Sequence, residues 1–177
     1  MKFYQLTKMN KRLIAYYSRK GNNYWGSKIV NLEVGNTEVV AKQIQELTGS
    51  DLFEIKTDKT YPVGYEETTE VAKQELHDYV RPELSNLLED VSEYDVIYLG
   101  YPNWWGTMPM VVWTFLESYD FAGKTIVPFC THEGSGMGSS ERDIKRLCPT
   151  ANVSKGLALR GSGVQDATET LKKWLSI

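Results

Sequence analysis

The feature that most restricts the fold of this 177-residue chain is an alternation. Short, nearly unbroken apolar runs take turns with segments whose apolar residues recur at helical spacing. RLIAYY (12–17), YDVIYLG (94–100) and KTIVPFC (124–130) lack polar alternation, the pattern of strands covered on both faces. DLFEIKT (51–57) mixes apolar and charged residues and reads as an edge strand, and VSKGLALRG (153–161) reads as the last strand. Pro128 removes a ladder hydrogen bond from the fourth strand, which predicts a bulge or an early strand end there.

Helices fill the gaps. TEVVAKQIQEL (37–47) puts Val40, Ile44 and Leu47 on one stripe, with Thr37 as the expected N-cap and Gly49 as the stop. EETTEVAKQELHDYV (66–80) aligns Ala72, Leu76 and Val80 and ends at Arg81-Pro82. PMVVWTFLESY (109–119) opens with proline at the first helical position. SSERDIKRL (139–147) has a serine cap and acids in its first turn, where the helix dipole favours them. VQDATETLKKWLS (164–176) keeps Val164, Ala167, Leu171 and Trp174 in register.

The order βαβαβαβαβα, with no repeat and no long linker, predicts one doubly wound α/β domain over 1–177, built on a parallel sheet. A net charge of −3 leaves no basic face of the kind nucleic acid demands. No apolar run approaches the roughly 18 residues of a membrane helix, and MKFYQLTKMNKR lacks the apolar centre of a signal peptide. Cys130 and Cys148 have no metal-like spacing. The expectation is a cytoplasmic protein with reduced thiols and no membrane partner, a Cys130–Cys148 disulfide being the open alternative.

In such sheets ligands bind beyond the carboxyl ends of the strands. Two near-copies of a glycine turn follow the first strand: Gly21-Asn22-Asn23 and Gly35-Asn36-Thr37. A phosphate gains most from a turn that runs straight into a helix. Only the second copy does so, because YWGSKIVNLEV behind the first alternates like a strand. The first copy therefore belongs to an insertion at about 19–34, expected as a β-hairpin flap, and Ser18 can still offer its hydroxyl if the insertion loops out and returns. YPNWWGTMP (101–109) follows the third strand, and its adjacent tryptophans suit a platform for a flat aromatic ligand. THEGSGMGSS (131–140) follows the fourth and offers backbone amides with little bulk.

Together, YYSR…GNTEVVAKQI, YDVIYLGYPNWWGTMP, TFLESYDFAGKTIVPFCTHEGSG and a C-terminal helix ending in KKWL resemble the flavodoxin family, in a branch with a tryptophan-rich second loop. The resemblance runs from about residue 12 to the end. It implies a flavodoxin-like five-stranded parallel sheet in the order 2-1-3-4-5, helices on both faces, and FMN as a non-covalent cofactor. By this resemblance Ser18, Asn36 and Thr37 cradle the phosphate, with Gly35 letting the backbone approach. Tyr101, Pro102, Asn103, Trp104, Trp105 and Gly106 line one side of the isoalloxazine ring. Thr131, His132, Glu133, Gly134 and Gly136 line its other edge. Stacking on indole and a shortage of positive charge near N1 would lower the flavin potential.

Two features depart from the family pattern: the long segment between Ser18 and Gly35, and Arg19 and Lys20 beside the phosphate site. Two functions therefore stay open. One is an electron carrier between redox partner proteins. The other is an FMN-dependent NAD(P)H oxidoreductase acting on quinones or similar small acceptors, either monomer or homodimer, with His132 and Tyr24 as candidate proton donors. The chain lacks the acidic first-strand end of a receiver domain, a G-x-G-x-x-G first turn and a G-x-S-x-G elbow. His77, among charged helical neighbours, reads as a surface side chain.

Overall fold

A computed structural model describes residues 10–177. Strand β1 (Arg12–Tyr16) is followed by a pair, β2 (Gly21–Trp25) and β3 (Lys28–Leu32), and then by α1 (Asn36–Thr48) and β4 (Asp51–Glu54). Next come α2 (Tyr65–His77), β5 (Val96–Pro102), α3 (Met110–Ser118), β6 (Thr125–His132) and α4 (Ser140–Leu147). Two short strands, β7 (Asn152–Val153) and β8 (Leu157–Arg160), lead through a 3₁₀ turn (Gly161–Asp166) into α5 (Thr168–Leu175).

The main sheet is parallel and runs β4-β1-β5-β6, with β7 and β8 sharing the last edge position beside β6. The 2-1-3-4-5 order therefore holds, with the fifth place split in two. Alternation along β1 divides the core. Ile14 and Tyr16 pack with Val40, Ile44 and Leu171 of α1 and α5, while Leu13, Ala15 and Tyr17 pack with residues of α3 and α4. Full burial of each such Ile or Leu contributes roughly 1.5–3 kcal/mol, so a β1 buried on both faces anchors both layers.

Pro128 neither bulges β6 nor ends it, because β6 continues to His132 and pairs Pro128 with Leu99 of β5. The Ser154 amide donates to the Ile126 carbonyl, so even-numbered residues of β6 face the last edge. The missing amide of Pro128 therefore faces the gap between β7 and β8. Gly156 lies in that gap, where an added Cβ would stand 2.9 Å from the Pro128 carbonyl oxygen. Proline is tolerated here because its neighbour strand is interrupted.

Helix ends supply three further corrections. Gly35, not Thr37, occupies the N-cap of α1, in extended conformation. Pro109 likewise caps α3 from outside the first helical position. Helix α2 stops at His77, because Tyr79 turns left-handed (φ 51) and the Val80 amide reaches back to the Glu75 carbonyl. That is a Schellman closure, and it leaves Val80 exposed instead of on the core stripe. Gly49 ends α1 as the sequence suggests, left-handed at φ 66 with its amide on the Gln45 carbonyl. Cys130 and Cys148 are buried free thiols, and burial pushes the Cys148 thiol up to about 11.

Candidate functional site

A cleft of about 540 Å³ opens at the carboxyl ends of β1, β5 and β6, where both the expected phosphate turn and the two expected ring loops converge. Its floor begins at the first turn of α1. The Ser18 hydroxyl, just past β1, accepts the Glu38 amide at 3.0 Å and so ties the strand end to the helix start. Gly35 makes this possible, because a Cβ there would lie 2.2 Å from Ser18 Oγ and 2.7 Å from the Arg19 carbonyl oxygen. The amides of Asn36 and Thr37 have no protein acceptor among the described residues, and both residues line the cleft. Thr37 is instead buried in the first turn, its hydroxyl 2.8 Å from that of Thr131 at the end of β6.

The tryptophan loop is held as a two-residue hairpin turn. Trp104 and Thr107 exchange backbone hydrogen bonds, and Trp105 and Gly106 between them have φ of 55 and 83. A left-handed tryptophan costs of order 1–3 kcal/mol, and such strain persists where surrounding contacts impose it. Here the Trp105 Nε1–H donates to the Thr69 carbonyl at 2.7 Å, and Lys73 lies over its ring. Trp104 turns the other way, edge-on to Tyr17 and Tyr61. Burial raises the pKa of both phenols, so they stay neutral. Tyr61 in turn donates to Glu75, a buried carboxylate that also pairs with Lys59. Both indoles and Pro102, Asn103 and Gly106 line the cleft.

The third wall is the β6 end. Asn103 bridges the two loops: its amide donates to the Thr131 carbonyl and its Nδ2 to the Gly136 carbonyl. Thr131, His132, Glu133 and Gly134 line the cleft. The Gly134 amide donates to His132 Nδ1, which leaves the proton of the neutral ring on Nε2. Burial, aided by Arg160, lowers the His132 pKa. Glu133 accepts the amide and hydroxyl of Ser162 and is held away from free rotation.

Not every expected residue reaches the cleft. Tyr101 is wholly buried beneath the sheet end and donates to Ser140 Oγ, because it points to the α3–α4 side of β5. Ser18, Gly35 and Gly136 do not line the cavity either.

Other lining groups arrive from the hairpin segment and from α2. β2 and β3 pair antiparallel, off the main sheet, and the hairpin packs on α2. Tyr24 of β2 faces Tyr65 of α2 with ring centroids 6.1 Å apart, and both line the cleft with Asn23, Thr68, Thr69 and Ala72. Arg19 joins the two elements, donating to carbonyls of Asn22, Pro62 and Val63 and to the Thr68 hydroxyl. Lys20 is exposed and is not part of the lining. Ser135 completes the rim. The alternation of YWGSKIVNLEV is the sequence cue to the hairpin that carries Tyr24.

No described helix is long and apolar enough to cross a membrane, and no group of His, Cys, Asp and Glu among the described residues could hold a metal ion. Comparison with known proteins agrees with this architecture. A flavoprotein candidate from Bacteroides uniformis superposes with a TM-score of 0.77 at 32% identity, over 95% of this chain and 99% of its own. The FMN complex of a flavoprotein from Lactobacillus acidophilus shares the fold at a TM-score of 0.63 and 23% identity, over 91% of this chain and 99% of that one. A flavodoxin from Haemophilus influenzae is 30% identical over 120 residues, 66% of this chain and 51% of the relative, so the match spans about half of that protein's length. The profile of the flavodoxin family matches residues 29–177, and the chain belongs to that family.

Proposed function

We propose that the cleft binds FMN non-covalently and that the protein carries electrons between redox partners. The observation that carries this reading is the start of α1. Asn36 and Thr37, whose amides have no protein acceptor among the described residues, line a cavity walled by two indoles. An anion is favoured at such a helix start by the free N–H groups and by the helix dipole. The Ser18 hydroxyl accepts the Glu38 amide and so holds this helix start in place. The volume of about 540 Å³ lies within the usual range for small-molecule sites, roughly 300–1,000 Å³.

Bound FMN supplies one- and two-electron chemistry; the chain's own residues bind it, orient it and keep water away. Trp104 and Trp105 offer apolar faces, and the fixed loops around Asn103 and His132 present polar groups to a ring edge. Neutral His132 can donate one hydrogen bond from Nε2.

One observation favours the second reading, an NAD(P)H oxidoreductase. The hairpin raises a wall of Tyr24 and Asn23 that would shelter a small acceptor as well as a flavin. Anaerobic NADPH added to the FMN-loaded protein separates the two. A carrier keeps its yellow colour until a reductase is supplied, whereas an oxidoreductase bleaches with NADPH alone.

A further inference from the structure

We propose that Arg19 sets the charge of the cleft, favouring the more negative form of a bound ligand and so raising the reduction potential of FMN. This rests on the FMN reading above. The family resemblance implies a shortage of positive charge near the flavin ring; the cleft has a guanidinium in its wall instead.

Arg19 looks at first like a rivet. Its guanidinium joins the Asn22 carbonyl of the hairpin to the carbonyls of Pro62 and Val63 and the Thr68 hydroxyl. Every one of these acceptors is a neutral oxygen. No carboxylate forms an ion pair with it among the described residues, and the titratable groups beside it are the phenols of Tyr17 and Tyr65, which stay neutral. Burial works against its charge, yet an arginine keeps its proton at any physiological pH. The wall therefore holds a fixed positive charge that the protein does not neutralise locally.

The Arg19 guanidinium is tied into the same wall as Trp105. The guanidinium bonds Thr68, and the next residue, Thr69, accepts the indole N–H of Trp105. The Arg19 backbone adjoins the phosphate turn at Gly35, while its guanidinium reaches across to α2, beside the residue that anchors Trp105. The other charge in the lining, Glu133, lies in the β6 loop and is held by Ser162. Lys73 adds a second cation over Trp105, and the buried Glu75 is matched by Lys59. Arginine's four bonds also fix where the charge sits, so it pays no reorganisation when the ligand's charge changes.

Full reduction of FMN takes two electrons and one proton to give an anion, and a second proton makes it neutral. A nearby cation favours the anion, so it makes reduction easier and opposes the second protonation. A fixed charge in a partly buried wall is worth about tenfold in that preference.

The experiment is a dithionite titration of FMN-loaded wild type, Arg19→Gln and Arg19→Lys, with the spectrum of the reduced flavin followed against pH. Arg19→Gln should lower the two-electron midpoint by about 30 mV, the equivalent of tenfold, and move the second protonation up by about one pH unit. Arg19→Lys keeps the charge while losing most of the rivet, and should stay within about threefold of wild type on both readouts. An unchanged midpoint in Arg19→Gln overturns the proposal, and so does an Arg19→Lys that falls as far as Arg19→Gln. If Arg19→Gln does not hold FMN, wild type alone decides: its reduced flavin must take the second proton at lower pH than free FMN, and an equal or higher value overturns the proposal. Failure of wild type to bind FMN would defeat the functional reading itself, a separate outcome.

Discussion

Gly35→Ala probes the contact on which the α1 turn depends. Gly35 is extended, φ −67 and ψ 148, so alanine can adopt its backbone without strain. Reduced freedom of the unfolded chain would by itself add about 0.4–1 kcal/mol of stability. Space decides otherwise. The new Cβ would stand 2.2 Å from Ser18 Oγ, 2.7 Å from the Arg19 carbonyl oxygen and 2.9 Å from its carbon. The serine can rotate, but the Arg19 backbone follows a strand packed on both faces and cannot retreat. Such overpacking costs about 1–3 kcal/mol. The start of α1 must move outwards, and losing the bond from the Glu38 amide to Ser18 costs about 1 kcal/mol more. The net is a destabilisation of about 2 kcal/mol, or about 1 M in urea midpoint at a slope of roughly 2 kcal/mol per M. Flavin-free protein should be unfolded in urea and followed by both circular dichroism and tryptophan fluorescence. Ser18→Ala in the same background removes the nearest atom but not the Arg19 backbone, so the double variant should remain destabilised. A Gly35→Ala midpoint equal to wild type, or full recovery in the double variant, would refute the reasoning.

Tyr101→Phe should cost about 1 kcal/mol in urea unfolding, through the lost bond to Ser140, and leave FMN affinity unchanged. Trp105→Ala should weaken FMN binding about tenfold, by removing an apolar wall of the cleft. His132 has a folded pKa below its unfolded value, so its contribution to stability is complete above about 6.5 and is lost as pH falls from there towards the lower folded value. Carbon-bound ring protons in NMR should show His132 titrating below 6.5, and His132→Gln should flatten the loss of stability in that window. Cys148, pushed up to about 11, should react slowly with thiol reagents at pH 8 until the protein is unfolded.

The sheet was legible because β1, β5 and β6 are buried on both faces and so read as unbroken apolar runs, while β4 reads as mixed because it sits at an edge. The choice between the two glycine turns was legible for a similar reason: only one precedes a helical stripe. Split β7 and β8 were not, since the break depends on Pro128 and Gly156 meeting across two strands. Thr37 and Tyr101 show the same limit within the site. Their positions are local, but their roles depend on Thr131 and Ser140, far away in the chain. Helix α2 contributes Tyr65 and Thr69 to the cleft by tertiary packing alone; Arg19 is legible beside Ser18, but its bonds to Pro62, Val63 and Thr68 are not.

The central claim is that the cleft holds a flavin with its phosphate at the start of α1. Its most direct test is the quenching of flavin fluorescence as wild-type protein is added to FMN and, separately, to riboflavin. The account predicts that both are quenched and that FMN binds at least about tenfold tighter, because only FMN brings an anion to the Asn36 and Thr37 amides. Equal affinity for riboflavin and FMN, or no quenching of either, would contradict it.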